Sequence, residues 1–248
     1  MGSGSSLYEP GRKMIPREFR GEYSKDLAKL KKNPGRFLIF REPAYERGLH
    51  PENFVDYECA FAASHIRQAN PGNVLDVGSY RHFILGLLAN FSITTIDVRN
   101  RTPISPSEVI ITCDAKKLNL PDHSFDLVLS LCALEHFGLG RYGDEFDLRA
   151  DEKALGEMIR VLKPGGRLIF TTTITRALPS IAFNAHRIYN REMLRSFCAG
   201  LNCVEEKFYS HKMKGFCSLE EVTTDLKWWD VYLGCWEKGK KGKRERSK

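Results

Sequence analysis

The chain has 248 residues, 42% of them hydrophobic and 28% charged, which suits one α/β-sized domain and excludes a fibrous or wholly disordered protein. No apolar run approaches the roughly 20 residues of a membrane-spanning helix. Seven cysteines, an odd number with no C-x-x-C pair, fit a reducing, cytoplasmic setting better than a disulfide framework.

The net charge of +7 is concentrated at one end. Residues 238–248 hold seven basic side chains against the single acid Glu245, so the remaining body is nearly neutral. Such a run reads as a solvated, disordered tail. A contact for anionic partners, nucleic acid included, stays open through it but is not favoured.

Residues 1–6 read as an expression remnant. Residues 7–50, rich in charge, Pro and Gly, are expected to form an arm or cap, with a short helix over 23–32 broken by Asn33-Pro34-Gly35. The main domain is expected over 51–237. It opens with a helix over 51–69, where Phe54, Tyr57, Ala60, Phe61 and Ile66 recur at helical spacing before Asn70-Pro71-Gly72.

An alternation follows. Strands are expected over 73–77, 92–98, 108–113, 125–131 and 167–174, and helices over 83–90, 152–162 and 191–199. The second of these helices is stopped by Lys163-Pro164-Gly165-Gly166. Two last strands, over 203–209 and 228–236, have no obvious long helix between them. The pattern predicts an α/β, Rossmann-like fold: a mostly parallel sheet with helices on both faces and a final antiparallel hairpin.

In open α/β sheets ligands bind beyond the carboxyl ends of the strands. Gly78, after the first strand, permits a tight turn and close backbone approach, and has a plain reading as a turn glycine. Asp97 ends the second strand twenty-one residues after Asp76, where an acid accepts from ribose hydroxyls. Asp114 follows the third strand, where it can accept from an adenine amino group. Asp76 and Asp114 have an alternative reading as caps.

These positions resemble the class I S-adenosylmethionine-dependent methyltransferase superfamily. Val74-Leu75-Asp76-Val77-Gly78 resembles its first motif and Thr95-Ile96-Asp97 its second. The segment from Pro121 to Val128 resembles the run into its fourth strand, and the segment from Arg160 to Leu168 the turn before its fifth. The resemblance covers about residues 52 to 236. It implies a seven-stranded sheet and an S-adenosylmethionine site drawn from Asp76, Gly78, Ser79, Asp97, Asp114, Ala115 and Leu131. Where the superfamily's first motif continues with glycines, this chain has Tyr80 and His82. Either these bulkier groups face away from the cofactor or the loop takes another path, with Ser79 or Arg81 meeting the methionine carboxylate. A narrower likeness, in Leu134-Glu135-His136-Phe137-Gly138-Leu139-Gly140-Arg141-Tyr142-Gly143-Asp144 and Asn184-Ala185-His186-Arg187-Ile188-Tyr189, is to a little-characterised methyltransferase-like group.

Methyl transfer to a hydroxyl needs a proton acceptor beside the reacting oxygen. His136, after the fourth strand, and His186, after the fifth, are the candidate bases. Against this, Leu-Glu-His can simply shape a loop. Arg141, Tyr142, Asp144, Asn184, Arg187 and Tyr189 are candidate substrate-binding residues, through bidentate grip, stacking and hydroxyl recognition. An internal Arg141–Asp144 pair is the structural alternative. The acidic stretch Asp144, Glu145, Asp147 reads as a helix start, and no metal is expected. The preferred reading is an O-methyltransferase for a small molecule or sugar hydroxyl. An RNA or protein methyltransferase and a non-catalytic binding module remain as alternatives.

Overall fold

A computed structural model describes residues 16–41, 43–45 and 52–240. The expression remnant and the last eight residues of the basic run lie outside the described residues. The chain divides into two compact units, residues 1–51 and 52–248.

In the first unit, helix α1 (Arg17–Lys32) starts six residues earlier than expected and ends at Asn33. None of its residues is buried; Phe19 packs its ring 4.9 Å from that of Tyr45.

The second unit begins with α2 (Phe54–Ala69). A capping box starts it: the Asn53 side chain accepts from the Val55 N–H at 2.8 Å, and Asp56 accepts from the Asn53 N–H at 2.9 Å. Asn70 closes it in the left-handed conformation. Then follow β1 (Val74–Val77), α3 (Arg81–Leu87), β2 (Ile93–Asp97), β3 (Glu108–Thr112), β4 (Phe125–Leu131), α4 (Ala150–Val161), β5 (Leu162–Ile174), β6 (Ser180–Ala182), β7 (His186–Ile188), α5 (Arg191–Phe197), β8 (Leu201–Ser210), β9 (Gly215–Cys217) and β10 (Asp230–Lys238).

The main sheet runs β3-β2-β1-β4-β5-β10-β8-β9. β1 to β5 are parallel, and β10 is antiparallel to both β5 and β8. The α/β class is as expected, but the sheet has eight strands, not seven. The extra strand, β9, is three residues on the edge of β8, too short to leave a sequence pattern. The β6–β7 hairpin forms a separate two-stranded sheet within a stretch expected to be loop.

Burial on both faces makes the central strands almost wholly apolar. Along β4, Leu127, Leu129 and Leu131 enter the core shared with Phe61, Ala62 and Ile66 of α2. Phe125 and Val128 enter the core shared with Ala154, Leu155, Met158 and Val161 of α4. The helical set recurs at the spacing of one helix face.

The turn before the fifth strand ends α4 as expected, yet it belongs to β5, which starts at Leu162. Gly166 is required there, because a Cβ would sit 2.9 Å from the Asp126 carbonyl oxygen. Lys238 also departs from expectation. It is the last residue of β10, not tail, and its ammonium donates to the carbonyls of Ile159 and Leu162 at 2.5 and 2.8 Å. A cation at the end of α4 is favoured by the helix dipole.

Gly234 lies in β10 where Tyr232 and Trp236 close over the backbone. An added Cβ would meet Tyr232 Cε1 at 2.6 Å and Trp236 Nε1 at 2.8 Å. Gly234→Ala should therefore destabilise the domain by about 1–3 kcal/mol through overpacking. Thermal denaturation followed by circular dichroism should show the lowered Tm.

Candidate active site

The strand order reverses about β1, so the crevice opens beyond the ends of β1 and β4. Two side chains fix the β1 turn. Asp76 Oδ1 accepts from the Ser79 N–H at 3.1 Å, and Ser79 Oγ accepts from the Leu131 N–H at 2.9 Å. Gly78 has φ +75°, and a Cβ there would come 3.1 Å from the Ala133 Cβ. Asp76 is fully buried and its Oδ2 has no hydrogen bond. Burial raises its pKa to about 6, opposed by the Ser79 and Thr95 hydroxyls.

Asp76, Ser79 and Leu131 therefore shape the crevice from behind; none of them lines it. Tyr80 turns toward α2 and donates to Glu58 Oε2 at 2.8 Å, and His82 is exposed. The bulky groups at the glycine places thus face away from the crevice. Arg81 is engaged by both carboxylate oxygens of Glu108, which removes it as a partner for a cofactor carboxylate.

A cleft there is lined by Gly78, Asp97, Asp114 and Ala115 together with Cys132, His136, Tyr142 and Asp144. Tyr142 and Asp144, expected on the substrate side, thus share the cleft with the cofactor set. Asp97 receives four donor contacts: the Arg99 N–H, Arg99 Nε and Nη2, and Arg101 Nη2, at 2.7–3.1 Å. These saturate a carboxylate's acceptor sites, so a ribose must displace an arginine. Arg99 is the one to move, with its side chain 55% exposed. Asp114 accepts from the Lys116 N–H at 2.9 Å, so it caps a turn as well as lining the cleft. Asp144 Oδ1 accepts from the Tyr142 N–H, while its Oδ2 is buried without a hydrogen bond.

Arg141 does not pair with Asp144. Its guanidinium donates to the Ala185 carbonyl at 3.2 Å and lies 5.2 Å from the centre of the Tyr142 ring, with Arg99 at 4.6 Å from that ring. Asp147 is neutralised by Lys153 at 2.6 Å, which accounts for part of the acidic stretch without a cation.

The β6–β7 hairpin brings the two histidines together. Their ring centroids are 6.4 Å apart, and the His186 ring is 5.8 Å from that of Trp229. Burial lowers the His186 pKa, with the neighbouring His136 adding to the effect. A neutral imidazole at this place can take a proton. Asn184 is exposed at the hairpin tip. Arg187 and Tyr189 correct the expectation of substrate contact. Arg187 is 5% exposed and donates to the carbonyls of Phe137, Asp147 and Leu148; Tyr189 is fully buried and donates to Asp151 at 3.0 Å. Both hold the loop after β4 in place.

Sequence reasoning missed Cys132, Arg99 and the buried Glu58. Cys132 follows β4 directly, a position that could have flagged it, but its left-handed φ of +51° has no sequence signature.

A family described as "Methyltransferase domain" matches residues 75–170. Those residues are similar to that family. The chain is 38% identical over 85 residues to the ubiquinone/menaquinone biosynthesis C-methyltransferase UbiE of Pseudomonas fluorescens (strain Pf0-1), a match over 34% of this chain and 29% of that relative. The chain thus matches less than a third of that relative's length. Among solved structures it is similar to the 1,6-didemethyltoxoflavin-N1-methyltransferase of Burkholderia thailandensis, with TM-score 0.55 and 14% identity over 94% of this chain and 93% of the other. That structure contains 1,6-didemethyltoxoflavin and S-adenosylhomocysteine. The [4+2]-cyclase SpnF is similar at TM-score 0.55 and 19% identity over 74% and 82% of the two chains. These likenesses establish the methyltransferase fold. No helix among the described residues is long and apolar enough to cross a membrane.

Asp76 makes the domain's stability depend on pH. Its native pKa of about 6 exceeds the ordinary 3.8, so between those values the native state holds a proton that the unfolded state has lost. Stability contributed by this group is complete below the unfolded value and falls as pH rises toward the native one. Asp76→Asn removes this loss, so its Tm relative to the unmodified chain should climb from about pH 4 to neutrality. A flat difference in paired melts across that range would contradict the assignment.

Proposed function

We propose that the domain binds S-adenosylmethionine in this cleft and transfers its methyl group to a hydroxyl of a small molecule or sugar. The observation that supports this most is the lining of the cleft. Asp97, Asp114 and Asp144, acids that can accept from a nucleoside, share it with His136, and His186 stands beside His136.

The cleft's own groups fit the cofactor. Asp144 Oδ2 is a buried acceptor awaiting a donor, and Gly78 lets a ligand approach the backbone closely. Asp97, Asp114, Ala115 and Asp144 would hold the nucleoside portion, with Arg99 swinging outward to release Asp97. When bound, S-adenosylmethionine supplies an electrophilic methyl on a sulfonium.

The remaining work is alignment and proton removal. His186, whose neutral ring makes no hydrogen bond to another described residue, takes the proton of the acceptor hydroxyl. Trp229 beside His186, with Trp228 stacked on it at 6.5 Å between ring centroids, offers an apolar face for a sugar ring or small aromatic body. A carbon acceptor, the chemistry named for the Pseudomonas relative, is the second reading, because a neutral base can also deprotonate an acidic carbon.

Calorimetric titration with S-adenosylmethionine tests the cofactor site. Micromolar binding is expected, weakened about tenfold or more by Asp97→Ala, the loss of a hydrogen-bonded charge. Absence of binding by the folded chain would remove the methyltransferase reading. Once a screen of sugars and small hydroxyl compounds yields an acceptor, His186→Ala should lower kcat by about a hundredfold with cofactor affinity retained. Isotope-edited spectra of the product then separate O-methyl from C-methyl transfer.

A further inference from the structure

At the cleft wall, Cys132, Glu135 and His136 each place a donor atom within 4.8 Å of the others. His136 Nδ1 lies 2.6 Å from the Ala185 carbonyl, which can accept only from an N–H, and 3.3 Å from Arg141 Nη1; with the proton on Nδ1, the Nε2 lone pair faces Glu135. Nε2 lies 3.8 Å from Glu135 Oε1, and the Cys132 thiol donates to the same oxygen at 3.0 Å, so a metal would replace that proton and push the sulfur slightly outward. Ligands at about 2.0–2.3 Å from a tetrahedral metal stand roughly 3.3–3.8 Å apart. Glu135 Oε2 accepts from the Thr172 hydroxyl at 2.9 Å. A histidine steadied by a carbonyl and a carboxylate steadied by a hydroxyl are the outer-shell supports that metal sites use.

The charge balance adds an independent observation. Glu135 is 1% exposed and Glu58 fully buried, and the Glu58 Oε1 has no hydrogen bond. Both carboxyls interact electrostatically with Cys132. Among the described residues, no Lys or Arg forms an ion pair with either. Buried acids left in this state are costly unless a cation joins them or they stay protonated.

We propose that Cys132, Glu135 and His136 form a transition-metal site, best suited to zinc, with an open position facing the cleft. A sulfur, an imidazole and a carboxylate favour zinc over magnesium or calcium. Cys132 and His136 both line the cleft, so the fourth position faces it. The role of this metal rests on the methyltransferase reading: an acceptor hydroxyl meeting it would become more acidic, and His186 stands ready to receive the proton.

The test uses the full chain, stripped with a chelator and titrated with Co²⁺. The site predicts about one equivalent bound, intense visible bands of four-coordinate cobalt, and a sulfur-to-cobalt charge-transfer band. Zinc should displace the cobalt. Cys132→Ser should abolish the charge-transfer band, and His136→Gln should weaken binding about tenfold or more. Cys203→Ser, at an exposed thiol, should change neither. Circular dichroism confirms that each variant folds, and the unmodified chain gives the deciding spectrum if one does not. No stoichiometric binding, or a charge-transfer band that survives Cys132→Ser, overturns the proposal. S-adenosylmethionine titration of the same cobalt-loaded sample separates the two ideas. Cobalt bound without cofactor affinity sinks only the methyltransferase reading; cofactor bound without cobalt sinks only the metal site.

Discussion

Everything at the cleft depends on how closely the ends of β1 and β4 approach. The Ser79 hydroxyl reaches across to the Leu131 N–H, Asp76 steadies Ser79, and Gly78 leaves room for Ala133. The Ser130 hydroxyl returns the contact by donating to the Val77 carbonyl at 2.9 Å. With both strand ends fixed, the chain after β4 must cross the crevice at one height. That places Cys132 and His136 on the cleft wall. The buried Asp76 is therefore structural equipment for the site, at the cost of its own ordinary ionisation.

The loop after β4 is held from below and from the side. Arg187, inside the fold, collects the carbonyls of Phe137, Asp147 and Leu148, satisfying backbone groups that a buried loop would otherwise leave unpaired. Ala185, at the turn of the β6–β7 hairpin, accepts from both His136 and Arg141. The two segments of narrower likeness are thus one unit in space, the first crossing the cleft and the second bracing it.

The alternation of apolar runs and helical spacing made the sheet and its helices legible, because strands buried on both faces leave continuous apolar runs such as residues 125–131. The acids at the ends of β2 and β3 were legible for the same reason: a strand end is visible where an apolar run stops. What the sequence could not reveal was which side a polar residue faces. Arg187 and Tyr189 look like substrate groups in a polar segment, yet their partners are backbone carbonyls and Asp151, contributed by segments some forty to fifty-five residues away. Asp97 does end β2, but its saturation by Arg99 and Arg101 depends on side-chain torsions that spacing does not encode. Glu58 sits on a helix whose apolar stripe is otherwise ordinary, so its burial beside Tyr80 left no periodic trace.

The position of β10 bears on how this domain is assembled during synthesis. β10 follows β8 and β9 in the chain but lies between β5 and β8 in the sheet. While residues 230–238 are still within the ribosome, β5 has an open edge and β8 can pair only with the short β9. The parallel half can gather first around β1 and β4, but it must wait with an unpaired edge, the condition in which nascent sheets recruit wrong partners. Insertion of one late strand then closes the sheet, brings Trp229 up to His186, and sets Lys238 on the end of α4. The strand that joins the sheet after β8 and β9 is the one that makes the site complete.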